Sequence, residues 1–179
     1  MRIRTFHIIF ILVTSFSFGQ SVNSPVSKSI KANFTTASVK AYQESATLKV
    51  EDFYNYLTLL SDENTSGPLR TEIKASIYSL FETESVHIID FTTDEKPFIH
   101  LNKFIDKIQY KNYTFLVSDF ESSIVSSDYW TTQYKLTVIR NNEKSKSHYF
   151  QNVKFKPVLK SFGSTKKEVW TLLLGEIEQ

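Results

Sequence analysis

Between Asp128 and Ile139 the chain alternates without a break. Trp130, Thr132, Tyr134, Leu136 and Val138 interleave with Thr131, Gln133, Lys135 and Thr137. That period of two predicts a strand with one buried and one wet face. Similar stretches follow from about Tyr113–Phe120, Ser147–Val158 and Glu168–Ile177. The polar links between them are of hairpin length, so residues 112–177 read as an antiparallel meander. Pro157 cannot donate to a ladder and predicts a bulge or an edge.

The stretches upstream follow a different period. In Thr47–Leu60, the residues Val50, Phe53, Tyr54, Leu57 and Leu60 fall on one face of a helix. Ser61–Gly67 breaks that pattern, and Pro68 opens a second helix with Leu69, Ile73, Ile77, Leu80 and Phe81 as its stripe. Val86–Phe91 is short and β-branched and predicts a strand. Phe98–Ile108 predicts a third helix, with Phe98, Leu101, Ile105 and Ile108 on one side. Helices gathered before a meander predict one α+β domain over residues 47–179, its helices packed on one face of a curved antiparallel sheet.

The first residues carry another signal. Arg2 and Arg4 precede a short apolar run, Ile8–Val13 with Phe16, and Ser17-Phe18-Gly19 resembles a cleavage site. Residues 1–19 therefore read as a signal peptide and the protein as exported, to the periplasm or beyond. The run is shorter than the roughly 20 residues a membrane span needs, so no stable anchor is expected after cleavage. Residues 20–46 are polar and read as a flexible leader, with Val39 and Tyr42 able to extend the first helix backward.

Of the 21 basic residues, two lie before the cut, and all 19 acidic residues lie after it. The remaining chain is formally neutral, which argues against nucleic acid as a partner. The chain has no cysteine, so no disulfide can brace it. Its 15 Phe, 9 Tyr and 2 Trp must supply stability by packing.

Phosphate loops, HExxH and GxSxG are absent from the sequence. Candidate chemistry rests on single polar residues. Asp90 and Asp119 each share a strand face with apolar neighbours, and a carboxyl in an apolar cavity can act as acid or base. The plainer alternative is a carboxylate at a strand end, hydrogen-bonded or solvated. His100 reaches an Asp only through the fold, and His87 and Asp90 face opposite sides of their strand. The scattered histidines lack ligand spacing, so neither a metal nor a cofactor is expected. Tyr54, Trp130, Tyr134 and Trp170 are candidates to line a pocket, or else are core. Lysines at 144, 146, 154, 156, 160, 166 and 167 tint the last hairpins basic. They fit a guarded, solvated edge or an anionic ligand.

The element order resembles the NTF2-like superfamily, the cone-shaped fold of SnoaL-like and ketosteroid-isomerase-like proteins. The helix pair, strand, helix and meander carry the resemblance, together with the Trp-bearing last strand Glu168–Ile177. It covers about residues 47–177 and implies a pocket between sheet and helices, with Tyr54 loosely similar to a hydrogen-bond donor of ketosteroid-isomerase-like sites. It does not imply a reaction. The reading is a non-catalytic binding domain for a small molecule or protein partner, with a homodimer left open. The alternative is a cofactor-free hydratase or isomerase using an Asp or His in the cone.

Intact-mass measurement on the exported protein should find a chain that begins at Gln20. A membrane-retained species still carrying residues 1–19 would refute the signal assignment.

Overall fold

Thr36–Ser61 forms one helix of 26 residues, and it determines where everything else sits. The computed structural model describes residues 29–179. The signal-peptide reading of residues 1–19 and the leader reading of residues 20–28 fall outside the described residues. From Ser29 onward the flexible-leader reading is corrected. Ile30–Asn33 (α1) is a single turn whose Ile30 is fully buried, and the Ile30 N–H donates to the Ser127 carbonyl at 2.7 Å. Thr35 then caps the long helix (α2), its hydroxyl accepting from the Ser38 N–H at 3.2 Å. The apolar stripe runs back from Leu60 through Val50 and Ala46 to Tyr42 and Val39. It is sparse at that end, where Ala37, Lys40, Ala41, Glu44 and Ser45 are exposed.

Gly67–Leu80 (α3) begins with Pro68 in its first turn, as its sequence requires, and packs against α2. Its buried positions are Arg70, Ile73, Ile77 and Leu80, whereas Leu69 is exposed. The expected stripe was thus one residue off at its start. Arg70 is the reason. Its guanidinium lies 3.7 Å from the centre of the Tyr110 ring and donates to the carbonyls of Leu60 and Asp62, closing the C-terminus of α2. A cation there satisfies orphan carbonyls and opposes the negative end of the helix.

The sheet has six strands in the order β2-β1-β6-β5-β4-β3. They are His87–Ile89 (β1), Phe98–His100 (β2), Thr114–Ser122 (β3), Tyr129–Arg140 (β4), Glu143–Phe162 (β5) and Thr165–Glu178 (β6). The α+β class holds, but the purely antiparallel sheet is corrected: β1 runs parallel to β6, with Ile88 opposite Ile177. Phe98–His100 was expected to begin a helix. Instead it pairs antiparallel with β1, and helix α4 occupies only Leu101–Ile108. Pairing with β1, Ile88 opposite Ile99 and Ile89 opposite Phe98, holds these residues extended against their helical spacing. The sheet is open, with β2 and β3 at its edges. Among the described residues, no helix is long and apolar enough to cross a membrane.

Turn chemistry sets the register of the meander. Asn141 and Asn142, both at positive φ (51° and 67°), form the two-residue turn between β4 and β5. Both central residues of a type I′ turn need that conformation, and asparagine tolerates it. Gly163, at φ 62°, opens the turn between β5 and β6. Two bulges then change which side chains face inward. One lies in β3 between Ser118 and Glu121. The other lies in β6, where Gln151 faces Ile177 but Val153 faces Leu174. The extra residue moves Ile177 onto the same face as Leu172 and Leu174, contrary to strict alternation. The fully buried Gln151 amide holds that bulge by donating to the Gly175 carbonyl at 2.8 Å.

The β5–β6 hairpin outruns its neighbours. The Phe155 N–H donates to the carbonyl of Asp128, just before the start of β4, at 2.8 Å. Pro157, two residues on, turns its ring nitrogen toward the same side, beyond the start of β4. The expected edge is therefore real. The inner face of this arm is covered by the N-terminal segment rather than by the middle of α2. Trp170 meets Phe34 edge-on at 4.9 Å and Phe155 at 5.1 Å, and Tyr42 lies 4.2 Å from Phe155. The expected contacts of Trp170 with Phe53 or Leu57 are replaced by this cluster, and Trp170 is partly rather than fully buried.

Trp170→Ala should cost about 2–3 kcal/mol, below the value for a wholly buried aromatic. Phe34→Ala should couple to it by about 0.5–1.5 kcal/mol in a double-mutant cycle read by thermal melts. Strict additivity would show that residues 30–46 do not cover the arm.

Candidate functional site

The helix stripe and the inner face of the sheet meet at two tyrosines. Tyr54 points down from α2 and Tyr134 up from the centre of β4, and their hydroxyls are 2.8 Å apart. Both are essentially inaccessible to solvent. Phe91, Phe115 and Tyr149 close around them, at ring distances between 5.6 and 6.4 Å. The space between helix and sheet is thus occupied by rings at this point. Burial pushes the Tyr54 phenol well above its ordinary value of 10.0, and Tyr134 is raised for the same reason.

Asp90 is brought close to this core at the end of β1, and it is buried. Its carboxylate is fully engaged. One oxygen accepts from the Thr92 N–H at 3.0 Å and the Thr92 hydroxyl at 2.6 Å, and the other pairs with the Lys107 ammonium from α4. Lys107 is the partner that sequence reasoning missed. It lies on the polar side of a helix whose apolar stripe was evident, and only the fold carries it to Asp90. Asp119 goes the opposite way. It occupies the β3 bulge at φ 57°, its side chain is exposed, and Lys135 stands 3.7 Å away. Strict alternation had put it beside Phe115 and Val117. The bulge turns it outward.

His100 stands at the N-cap position of α4 without a side-chain cap, its ring tilted at 42° to that of His87 with centroids 4.3 Å apart. Its Nδ1 donates to the Ser85 carbonyl at 2.9 Å, and no Asp adjoins it. Trp130 is buried at the base of β4, and Trp170 belongs to the arm cluster. The four aromatic candidates therefore pack as core or cover. No cluster of three or more His, Cys, Asp or Glu with metal-binding geometry occurs among the described residues.

Open space lies at the ends of the sheet. One groove of about 590 Å³ runs between α2 and the β3–β4 link, with Phe34, Val39, Ile124 and Val125 below Lys31 and Lys40. A second recess of about 580 Å³ opens at the rim, where the β1–β2 loop faces the β4–β5 turn. Phe91 and Tyr113 form its aromatic walls, and Lys96, Arg140 and Lys144 bring positive charge. The Arg140 guanidinium sits 5.0 Å over the Tyr113 ring, and Lys96 donates to the Ser147 hydroxyl at 2.8 Å. Within the β1–β2 loop, Lys96 stands before Pro97 at φ 46°, a left-handed state uncommon for a lysine.

On the far side of the molecule, Glu82 bridges α3 and the sheet. It accepts from Lys154 at 2.5 Å and also from Lys156, and those two hydrogen bonds hold its carboxyl below the usual range. Two lysines of the basic hairpin are thereby accounted for.

No protein-family model matches the chain, and no curated protein is significantly similar to it.

The tyrosine pair has a measurable consequence. Both phenols are raised above 10.0 in the folded state, so the unfolded chain releases these protons first. Stability should be fully present below pH 10 and fall as pH rises beyond it. Tyr54→Phe or Tyr134→Phe alone should cost about 1–2 kcal/mol at pH 7 by stranding the other hydroxyl, and the double variant less than their sum. Its melting temperature should also depend less on pH above 10. Urea melts across pH 7–11 test this, and additive single costs would refute it.

Proposed function

We propose that this protein is an exported, non-catalytic binding domain of NTF2-like build, taking a small molecule or a protein partner. The observation that carries the reading is the filled interior. The place where a cone-shaped enzyme needs a cavity holds Tyr54, Tyr134, Phe91 and Phe115, ring against ring. An acid–base role also needs a carboxyl free to exchange a proton with a bound substrate. Asp90 instead spends both oxygens on Thr92 and Lys107. Asp119 is out on the bulge, and His100 is tied to a backbone carbonyl. Export rests on the signal pattern of residues 1–19, and the family likeness on element order and the Trp-bearing last strand.

Native mass spectrometry of the protein from its own host should show a co-purifying molecule or partner chain. Assays with enone-isomerase and enoyl-hydratase substrates should show no turnover. Turnover lost in Asp90→Asn, with folding verified by an unchanged melting temperature, would overturn the reading in favour of an enzyme. Asp119→Asn, on the exposed bulge, is the control that should change neither.

A further inference from the structure

We propose that the rim recess between the β1–β2 loop and the β4–β5 turn binds a small organic anion with a flat apolar body, either a carboxylate or a phosphate ester. The inference rests on the binding-domain reading above and names its site and ligand chemistry. At about 580 Å³ the recess falls within the range of small-molecule sites. Its walls supply the two things such a ligand needs. Phe91 and Tyr113 offer apolar faces. Lys96, Arg140 and Lys144 offer three cations against the two carboxylates of Asp94 and Glu143, which also line it, so the recess keeps a positive balance.

Two of those cations are marked by the way they are held, each fixed in place by uncharged groups. Lys74, Lys107, Lys135, Lys154 and Lys156 each have a carboxylate partner. Lys96 and Arg140 line a concave site and have none among the described residues. They are held instead by neutral groups. Ser147 accepts from Lys96, whose ammonium also lies 5.7 Å from the Tyr149 ring. The Tyr113 hydroxyl accepts from Arg140 at 3.3 Å, and the same ring supports the guanidinium plane. Neutral partners orient a cation without neutralising it, and leave an Arg fork available to an oxyanion. Lys96 reaches its place at positive φ just before a proline, a costly backbone state for a lysine. Orienting a cation toward a ligand is a use that explains keeping it.

The test is a backbone-amide NMR titration of the exported protein with sodium benzoate, phenyl phosphate, inorganic phosphate and benzyl alcohol. Saturable shifts are expected in residues 91–96 and 140–147 with benzoate or phenyl phosphate, weaker ones with inorganic phosphate, and none with benzyl alcohol. Benzoate alone would assign a carboxylate, and phenyl phosphate alone a phosphate ester. Lys96→Gln and Arg140→Gln should each weaken binding roughly tenfold with melting temperatures unchanged. The site is overturned if none of the three anions shifts those segments saturably, if benzyl alcohol does so equally, or if both variants bind like wild type. A host ligand seen by native mass spectrometry that persists in the Lys96→Gln/Arg140→Gln double variant also overturns this site, while leaving the binding-domain reading standing.

Discussion

Two phenol groups placed in an apolar interior must find each other or pay for burial alone. That constraint fixes the architecture here. Tyr54 on α2 and Tyr134 on β4 are 80 residues apart, and their hydrogen bond sets the distance and rotation of the long helix over the sheet. Once that distance is set, Phe53 and Leu57 on the helix and Phe115 and Leu136 on the sheet come to rest in the same closed core. A chain without disulfides depends on such closure, because nothing else limits its unfolded state. The same closure fills the interior with rings at that level, while the open grooves lie at the ends of the sheet.

The buried charged groups follow the same economy. Arg70 is buried because the C-terminus of α2 needs donors, and its guanidinium meets two backbone carbonyls and an aromatic face. Asp90 is buried because the chain must turn after β1, and Thr92 with Lys107 compensates its charge. Gln151 is buried because a bulge at Gly175 leaves carbonyls to satisfy, and a Cβ at Gly175 would meet that of Asn152 at 3.2 Å. Each of these polar side chains completes a backbone turn, bulge or helix end. Burial of a titratable group is thus weak evidence for catalysis unless its partners leave it a free valence.

The sequence exposes what is periodic and conceals what breaks the period. Alternation along residues 128–139 reads out directly as β4, and the stripe of residues 50–60 as the heart of α2. Asp119 and Ile177 could not be placed, because one inserted residue reverses the face and nothing in composition announces the insertion. The N-terminal turns of α2 were hidden for another reason. Their few apolar residues, Val39 and Tyr42, with Phe34 just before the helix, look too sparse to offset the cost of ordering until Phe155 and Trp170 arrive from the far end of the chain. The site was less legible than the fold. Lysines on the last hairpins were visible as a basic tint, but Lys154 and Lys156 are neutralised by Glu82, a contact made only in three dimensions.

Neutralisation is what gives the rim its character. A lysine bonded to a carboxylate presents little field, whereas one held by a hydroxyl or an aromatic ring keeps its charge while losing its freedom to wander. In the interior, Tyr54 pairs with Tyr134 and Asp90 with Lys107. At the rim, the two-asparagine turn brings Arg140 and Lys144 close together, and the proline-bounded loop carries Lys96 to face them. The aromatic rings that complete the core there, Phe91 and Tyr113, are the same rings that wall the recess. The packing that closes the middle of the domain therefore also builds the rigid support on which an exposed binding surface can stand.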